Sequence, residues 1–278
     1  MEISTDPETA SIATSHARQV PLLEMQQVTV MRGERRALEK LDVCIAQGEH
    51  LAILGPNGSG KSTLIRTLTR ECYPLAEPGS RLRLLGRERW NVFELRRALG
   101  IVNAELLHGC TRPLTGREVV ISAFFSSLGV PMDADADEVA RHEAAAEAAL
   151  ERMEARHLAG RLVHEMSAGE SRRVLLARAL AHQPGTLLLD EASNSLDLRA
   201  QHELREILRR LAQEGVGLVL VTHHLPDIIP EIERVILLRN GRIAGDGPKR
   251  AMLTQARMRD LFGMEGELLE RDGYYYFL

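Results

Sequence analysis

The stretch Gly55-Pro56-Asn57-Gly58-Ser59-Gly60-Lys61-Ser62-Thr63 constrains this chain more than any other. It follows an apolar run, "LDVCIAQGEHLAIL", and opens a segment, "KSTLIRTLTREC", whose Leu64, Ile65 and Leu68 share one face at helical spacing. Gly-x-x-x-x-Gly-Lys-[Ser/Thr] between a strand and a helix is a phosphate cradle. Glycines let the backbone turn tightly around phosphate oxygens. Amides from Gly58 through Ser62 can then point inward, and the helix N-terminus adds positive potential. Lys61 is placed to reach the outer phosphates, the Ser62 hydroxyl to hold Mg²⁺, and Thr63 to add a donor.

Such a loop needs a carboxylate from a neighbouring strand end. "TLLLDEAS" supplies two acids. Asp190 ends an apolar run where a buried strand emerges, which suits an outer ligand of hydrated Mg²⁺. Glu191, next in line, can orient or deprotonate an attacking water. Around these motifs, "LLEMQQVTVM", residues 81–85, 98–102, 186–190, 216–222 and 234–239 read as strands. "SLDLRAQHELREILRRLAQEG" is an amphipathic helix between two of them, and strand, helix, strand makes a parallel βαβ unit. Residues 114–182 read as almost wholly helical, with an Ala- and Glu-rich helix ending at Gly160 as its C-cap.

Three further motifs follow in order: MSAGE (166–170), NSLD (194–197) and VTHH (221–224). With GPNGSGKST and LLLDE, this succession over residues 21–247 resembles the nucleotide-binding domain of ABC ATPases. The resemblance implies an α/β fold of P-loop NTPase type. Its sheet is mostly parallel, preceded by antiparallel strands and interrupted by a helical subdomain at about 103–182. It implies ATP and Mg²⁺ as ligands and a pair of chains as the working unit. The serine and glycine of the signature, Ser167 and Gly169, would grip nucleotide held by the second subunit. A helix at 171–182 would bring its positive end there. Asp197 would cross the dimer, and His223 looks like the histidine that contacts the γ-phosphate. Lys61, Glu191 and His223 are thus the expected catalytic residues. The variant signature also resembles molybdate- and iron-type transport subunits.

The chain departs from the family at several places. Ala168 and Glu170 replace a glycine and a glutamine, and the Glu170 charge should weaken phosphate binding unless it points away. Ala104, with Glu105 beside it, stands where a metal-contacting glutamine is usual; either Glu105 takes over or the loop acts through another residue. Met31 occupies the place expected for an adenine-stacking tyrosine. Its sulfur, or cation–π stacking by Arg32, would then hold the base, and adenine selectivity should be loose. "DADADE" (133–138) mimics a calcium loop, but Glu138 and Ala144 fail its required positions, so an acidic helix start is expected.

Two functions fit this reading. The first is an ATP-hydrolysing subunit that docks on a separate membrane permease, making it peripheral on the inner face of the cell membrane. The second is an ABC ATPase acting on nucleic acid or ribosomes. The net charge of −4 argues against the second. No apolar run approaches the ~20 residues of a membrane span. Residues 1–20 lack a secretory pattern and read as a mobile tail. Cys44, Cys72 and Cys110 match no metal spacing and read as buried or inert thiols. Phe124 and Phe125 are either exposed docking anchors or core packing. Residues 248–278 read as a helix and a final strand, with Tyr274–Tyr276 packed on the domain.

Overall fold

Two kinds of apolar pattern build two sheets in this computed structural model, which describes residues 20–103, 106, 113–131 and 133–278. β1 (Leu23–Arg32) and β2 (Arg35–Ile45) mix buried with exposed positions, as sheets with one solvated face do. They pair antiparallel, and β4 (Arg81–Leu84) completes the order β2-β1-β4. β3 (His50–Leu54), β6 (Thr186–Asp190) and β7 (Gly217–Thr222) are instead almost continuously buried, the signature of parallel strands covered on both faces. With β5 (Gly100–Asn103), β8 (Arg234–Arg239) and β9 (Arg242–Pro248) they form a sheet of order β5-β6-β7-β3-β8-β9. Only β9 runs antiparallel.

Alternation along each parallel strand feeds two cores. Ala52 and Leu54 of β3 and Leu218 and Leu220 of β7 face one core, shared with a helical layer. Leu51 and Ile53, with Val219 and Val221, face the other, shared with α1 (Lys61–Leu68) and the antiparallel sheet. Each fully buried leucine or isoleucine contributes about 1.5–3 kcal/mol. The helical layer consists of α3 (Gly116–Ile121), α4 (Ala136–Arg152) and α5 (Ala168–Leu180). Between β4 and β5 lies α2 (Val92–Ala98), and α6 (Leu198–Gln213) crosses from β6 to β7. The register sets Leu54 beside Thr222 and Asp190 beside Val221, so the C-terminal ends of β3, β6 and β7 emerge together.

Several expectations are corrected. α1 stops at Leu68 rather than running to residue 72, and α4 stops at Arg152 rather than Gly160. Both ends are Schellman motifs closed by a non-glycine left-handed residue, Arg70 (φ 62°) and Glu154 (φ 54°). The Ala155 N–H donates to Leu150 O at 2.8 Å and the Glu154 N–H to Glu151 O at 2.9 Å. Arg210 stabilises this turn by pairing with Glu154 at 2.7 Å. Residues 122–129 are turns and bends rather than helix, with Ser126 (φ 51°) and Gly129 (φ 83°) in left-handed conformations that break the run. The acidic stretch does start a helix, with the Asp135 side chain accepting the Asp137 N–H.

The C-terminal segment forms two short helices, α7 (Lys249–Met252) and α8 (Gln255–Phe262), then a hairpin of β10 (Leu268–Arg271) and β11 (Tyr274–Phe277). Tyr275 enters the core, Tyr274 is half-buried and Tyr276 is exposed. Phe124 and Phe125 are half-buried against the core, and the Phe124 ring stacks on His142 at 4.1 Å. Cys44 is exposed, and Cys72 is half-buried. The tail 1–19, Ala104, Glu105 and Cys110 lie outside the described residues.

Candidate functional site

The phosphate loop takes its shape from glycines and from one buried lysine. Gly60 sits at φ 110°, and a Cβ there would meet Ala37 O at 2.7 Å, so only glycine can precede α1. Lys61 is 4% exposed. Its Nζ donates to Gly55 O at 2.9 Å and Pro56 O at 3.1 Å, drawing the loop closed over the ammonium. Gly55, Ser59 and Thr63 are buried, Pro56 is half-buried, and Asn57, Gly58 and Ser62 face outward.

Glu191 meets this loop from the end of β6. Its carboxylate lies 3.5 Å from Lys61 Nζ and 3.2 Å from His223 Nδ1. Asn194 donates to the other carboxylate oxygen at 2.6 Å, a contact the sequence did not advertise. Burial pushes the Glu191 carboxyl up, but His223, Lys61 and the Asn194 amide together outweigh it and hold it below the usual range. Burial also pulls the Lys61 ammonium down, with Glu191 and Asp190 opposing. Glu191 is therefore ionised at neutral pH and presents acceptor oxygens only. The His224 ring lies against His223, its centroid 3.9 Å away and its plane tilted by 41°.

Asp190, Glu191 and Ser62 line one cleft of about 1520 Å³. A hydroxyl and a carboxylate fit Mg²⁺, which keeps several waters and takes its other ligands from phosphate oxygens. Among the described residues no cluster of three His, Cys, Asp or Glu side chains can cage a metal by itself. Arg32, rather than Met31, lines the cleft along with Ser62. Met31 is half-buried and pairs with Arg36 across β1 and β2.

The signature residues stand apart from this group. α5 starts at Ala168 rather than 171, with Ser167 as N-cap in a capping box. The Glu170 N–H donates to Ser167 Oγ at 3.2 Å, and the Ser167 N–H donates to the Glu170 carboxylate at 2.8 Å. Arg161 pairs with Glu170 at 2.6 Å. The Glu170 charge is thus turned back and compensated. A Cβ on Gly169 would meet the Ala200 Cβ at 3.0 Å, and Asp197 caps α6 by accepting the Ala200 N–H at 2.8 Å. Among the described residues, no hydrogen bond of Ser167, Gly169 or Asp197 reaches the phosphate loop. Arg172 is 6% exposed, donates to Asn194 O at 3.3 Å and leaves its Nη1 without a partner.

A family model described as ABC transporter matches residues 38–194, spanning the loop, the signature and the Asp190–Glu191 pair. The chain belongs to the ABC transporter ATPase family. It is 36% identical over 237 residues to a hemin import ATP-binding protein HmuV of Nocardia farcinica, covering 85% of this chain and 79% of that protein. A hemin import ATP-binding protein HmuV of Bradyrhizobium diazoefficiens is 32% identical, with 92% of this chain and 94% of that protein covered. Among solved structures, a chain of an inward-facing ABC transporter shares the fold, with TM-score 0.73 and 22% identity over 92% of this chain and 96% of that one. A dimeric ATP-binding cassette with ADP and Pi matches at TM-score 0.65 and 26% identity, over 81% of this chain and 98% of its own. This ABC ATPase is an ATP-hydrolysing subunit of a transporter. Among its described residues, no helix is long and apolar enough to cross a membrane.

Proposed function

We propose that this ABC ATPase powers import of hemin or a similar metal chelate. It works as a homodimer docked on a separate permease at the inner face of the cell membrane. One observation carries the site reading. Beside the ends of parallel strands, Glu191 lies within 3.5 Å of both Lys61 Nζ and His223 Nδ1, while Ser167 and Gly169 sit at the start of a helix tied to other partners. The relatives named as hemin import proteins supply the substrate class. They favour transport over action on nucleic acid.

In this reading residues 55–63 wrap the phosphates of ATP, and Lys61 leaves its carbonyl partners for the β- and γ-phosphates. Ser62 and Asp190 would hold Mg²⁺, whose charge offsets that of the phosphate oxygens. Glu191, held ionised, accepts a hydrogen of the attacking water and fixes its line of approach. His223 contacts the γ-phosphoryl group. Ser167 offers its hydroxyl to nucleotide on the partner, and Gly169 lets the partner approach. Asp197 crosses the dimer to help position the other site. Closing the pair completes both sites, and hydrolysis reopens them. Arg32 beside the cleft replaces an aromatic platform and relaxes base selectivity.

Complementation tests the proposal. The wild-type chain restores hemin uptake in host cells deleted for it, and Glu191→Gln does not. Purified Glu191→Gln retains ATP in a stable dimer while kcat falls about 10²–10⁴-fold. Normal hemin uptake after deletion sinks the substrate class, and unchanged turnover in the variant removes Glu191 from the mechanism.

A further inference from the structure

Among the described residues, Asp227 is the only acid with a buried side chain, at 6% exposure. A carboxylate out of water needs strong partners. Asp227 lies on the short 3₁₀ turn Leu225–Asp227 that follows β7. A single oxygen, Oδ2, accepts two hydroxyls: Ser193 Oγ at 2.6 Å and Thr222 Oγ1 at 2.7 Å. Thr222 Oγ1 also accepts the His224 N–H at 2.9 Å. Both hydroxyl-bearing residues are buried, Ser193 at 5% and Thr222 at 0% exposure.

The two partners sit at telling places. Ser193 is two residues beyond Glu191, and Thr222 directly precedes His223. Glu191 is itself in a left-handed conformation at φ 46°, costly for a residue with a Cβ and kept only where surroundings enforce it. Its N–H donates to Val221 O at 2.9 Å, on the neighbouring strand. Without a further tie, two turns leaving adjacent strands could change their mutual angle. Charge-assisted hydrogen bonds of this length are the strong kind.

We propose that Asp227 is a positioning residue. It locks the turn carrying Glu191 to the turn carrying His223, and so sets the angle at which both meet the γ-phosphoryl group and its attacking water. The inference rests on the site reading given above. Misplacing reacting groups by about 1 Å can cost 10²-fold in rate, so loss of the clamp acts on turnover rather than on nucleotide binding.

The test uses the purified full chain, measuring kcat at saturating ATP and the ATP Kd separately. Asp227→Ala lowers kcat about 10- to 100-fold with Kd changed less than about threefold. Asp227→Asn, which keeps an oxygen able to accept both hydroxyls, recovers most of the turnover. If Asp227→Ala does not fold, Ser193→Ala and Thr222→Val each remove one arm, and each lowers kcat severalfold with Kd intact. Unchanged kcat per folded molecule, or kcat and affinity falling in equal proportion, overturns the proposal. Glu191→Gln separates the two readings. If it loses turnover while the clamp variants do not, only this inference falls. If it turns over normally, the site reading falls as well.

Discussion

The two halves of the proposed nucleotide site are held together by different physics. The phosphate half is built from long-range parts: residues 55–63, Glu191 and His223 arrive from three strands and meet because the parallel register brings those strand ends side by side. Its lysine is buried and fully engaged. The signature half is local. Ser167 and Glu170 satisfy each other across three residues, and Ser167 is exposed. A half assembled by register is complete in one chain. A half that only caps its own helix is an exposed surface, and in the proposed dimer its nucleotide would come from the partner. Each variant below either breaks this contrast or sharpens it.

The largest effect belongs to the phosphate half. Lys61→Ala removes the ammonium that gathers Gly55 O, Pro56 O and Glu191. Hydrogen bonds to charged groups are worth about 1.5–3 kcal/mol each. Loss of one or two such bonds to phosphate weakens ATP binding by about 10- to 10⁴-fold, measured by titration calorimetry on a single chain. Unchanged affinity would mean that the amides alone hold the phosphates, and the buried lysine would be a structural plug.

Gly169→Ala gives an intermediate effect and asks why the signature has its glycine. Alanine gains about 1 kcal/mol of helix propensity, yet its Cβ would press on Ala200 at 3.0 Å. These offset, so the thermal midpoint moves little. Turnover falls about tenfold if the glycine admits the partner's nucleotide. The double variant Gly169→Ala with Ala200→Gly relieves the α5–α6 contact. Turnover that stays low in it keeps the glycine at the dimer interface. Turnover that returns reduces the glycine to helix packing and erases the contrast between the halves.

The same contrast explains what could be read from the sequence. Parallel strands were legible because "TLLLD" and "GLVLVT" are continuously apolar, and the phosphate loop because Gly58, Gly60 and Lys61 each answer a distinct steric or charge demand. Helix ends were not, because Arg70 and Glu154 adopt conformations that usually announce glycine. α2 was missed because only Leu95 of its seven residues is buried, too few to leave a period. The start of α5 was misplaced although Ser167 and Glu170 stand three apart, the spacing of a capping box. Asn194, Arg161 and Asp227 act through contacts 3, 9 and 34 residues away in the chain, and no local pattern marks such partners.

The smallest effect tests whether the local half is as self-contained as its hydrogen bonds suggest. Glutamine can serve a capping box as glutamate does, so Glu170→Gln keeps the Ser167 cap and loses only the charge facing Arg161. Surface pairs of this kind are worth about 0–1 kcal/mol, and thermal denaturation should register about 0.5 kcal/mol at most. The hydrogen bond from the Ser167 backbone, opposed by a slight burial and aided by the Ser167 side chain and Arg161, holds the Glu170 carboxyl below its ordinary range. A lowered folded pKa gives stability that is present above the unfolded value and lost as pH falls through the folded one. The wild-type advantage is therefore flat near neutrality and fades only in acid, where the variant shows no matching loss. ATP turnover should not rise in Glu170→Gln, because the charge it removes is already turned toward the Ser167 N–H and Arg161. A severalfold rise would place that charge within reach of the partner's phosphates, and the signature would then be tuned across the dimer rather than within its own first turn.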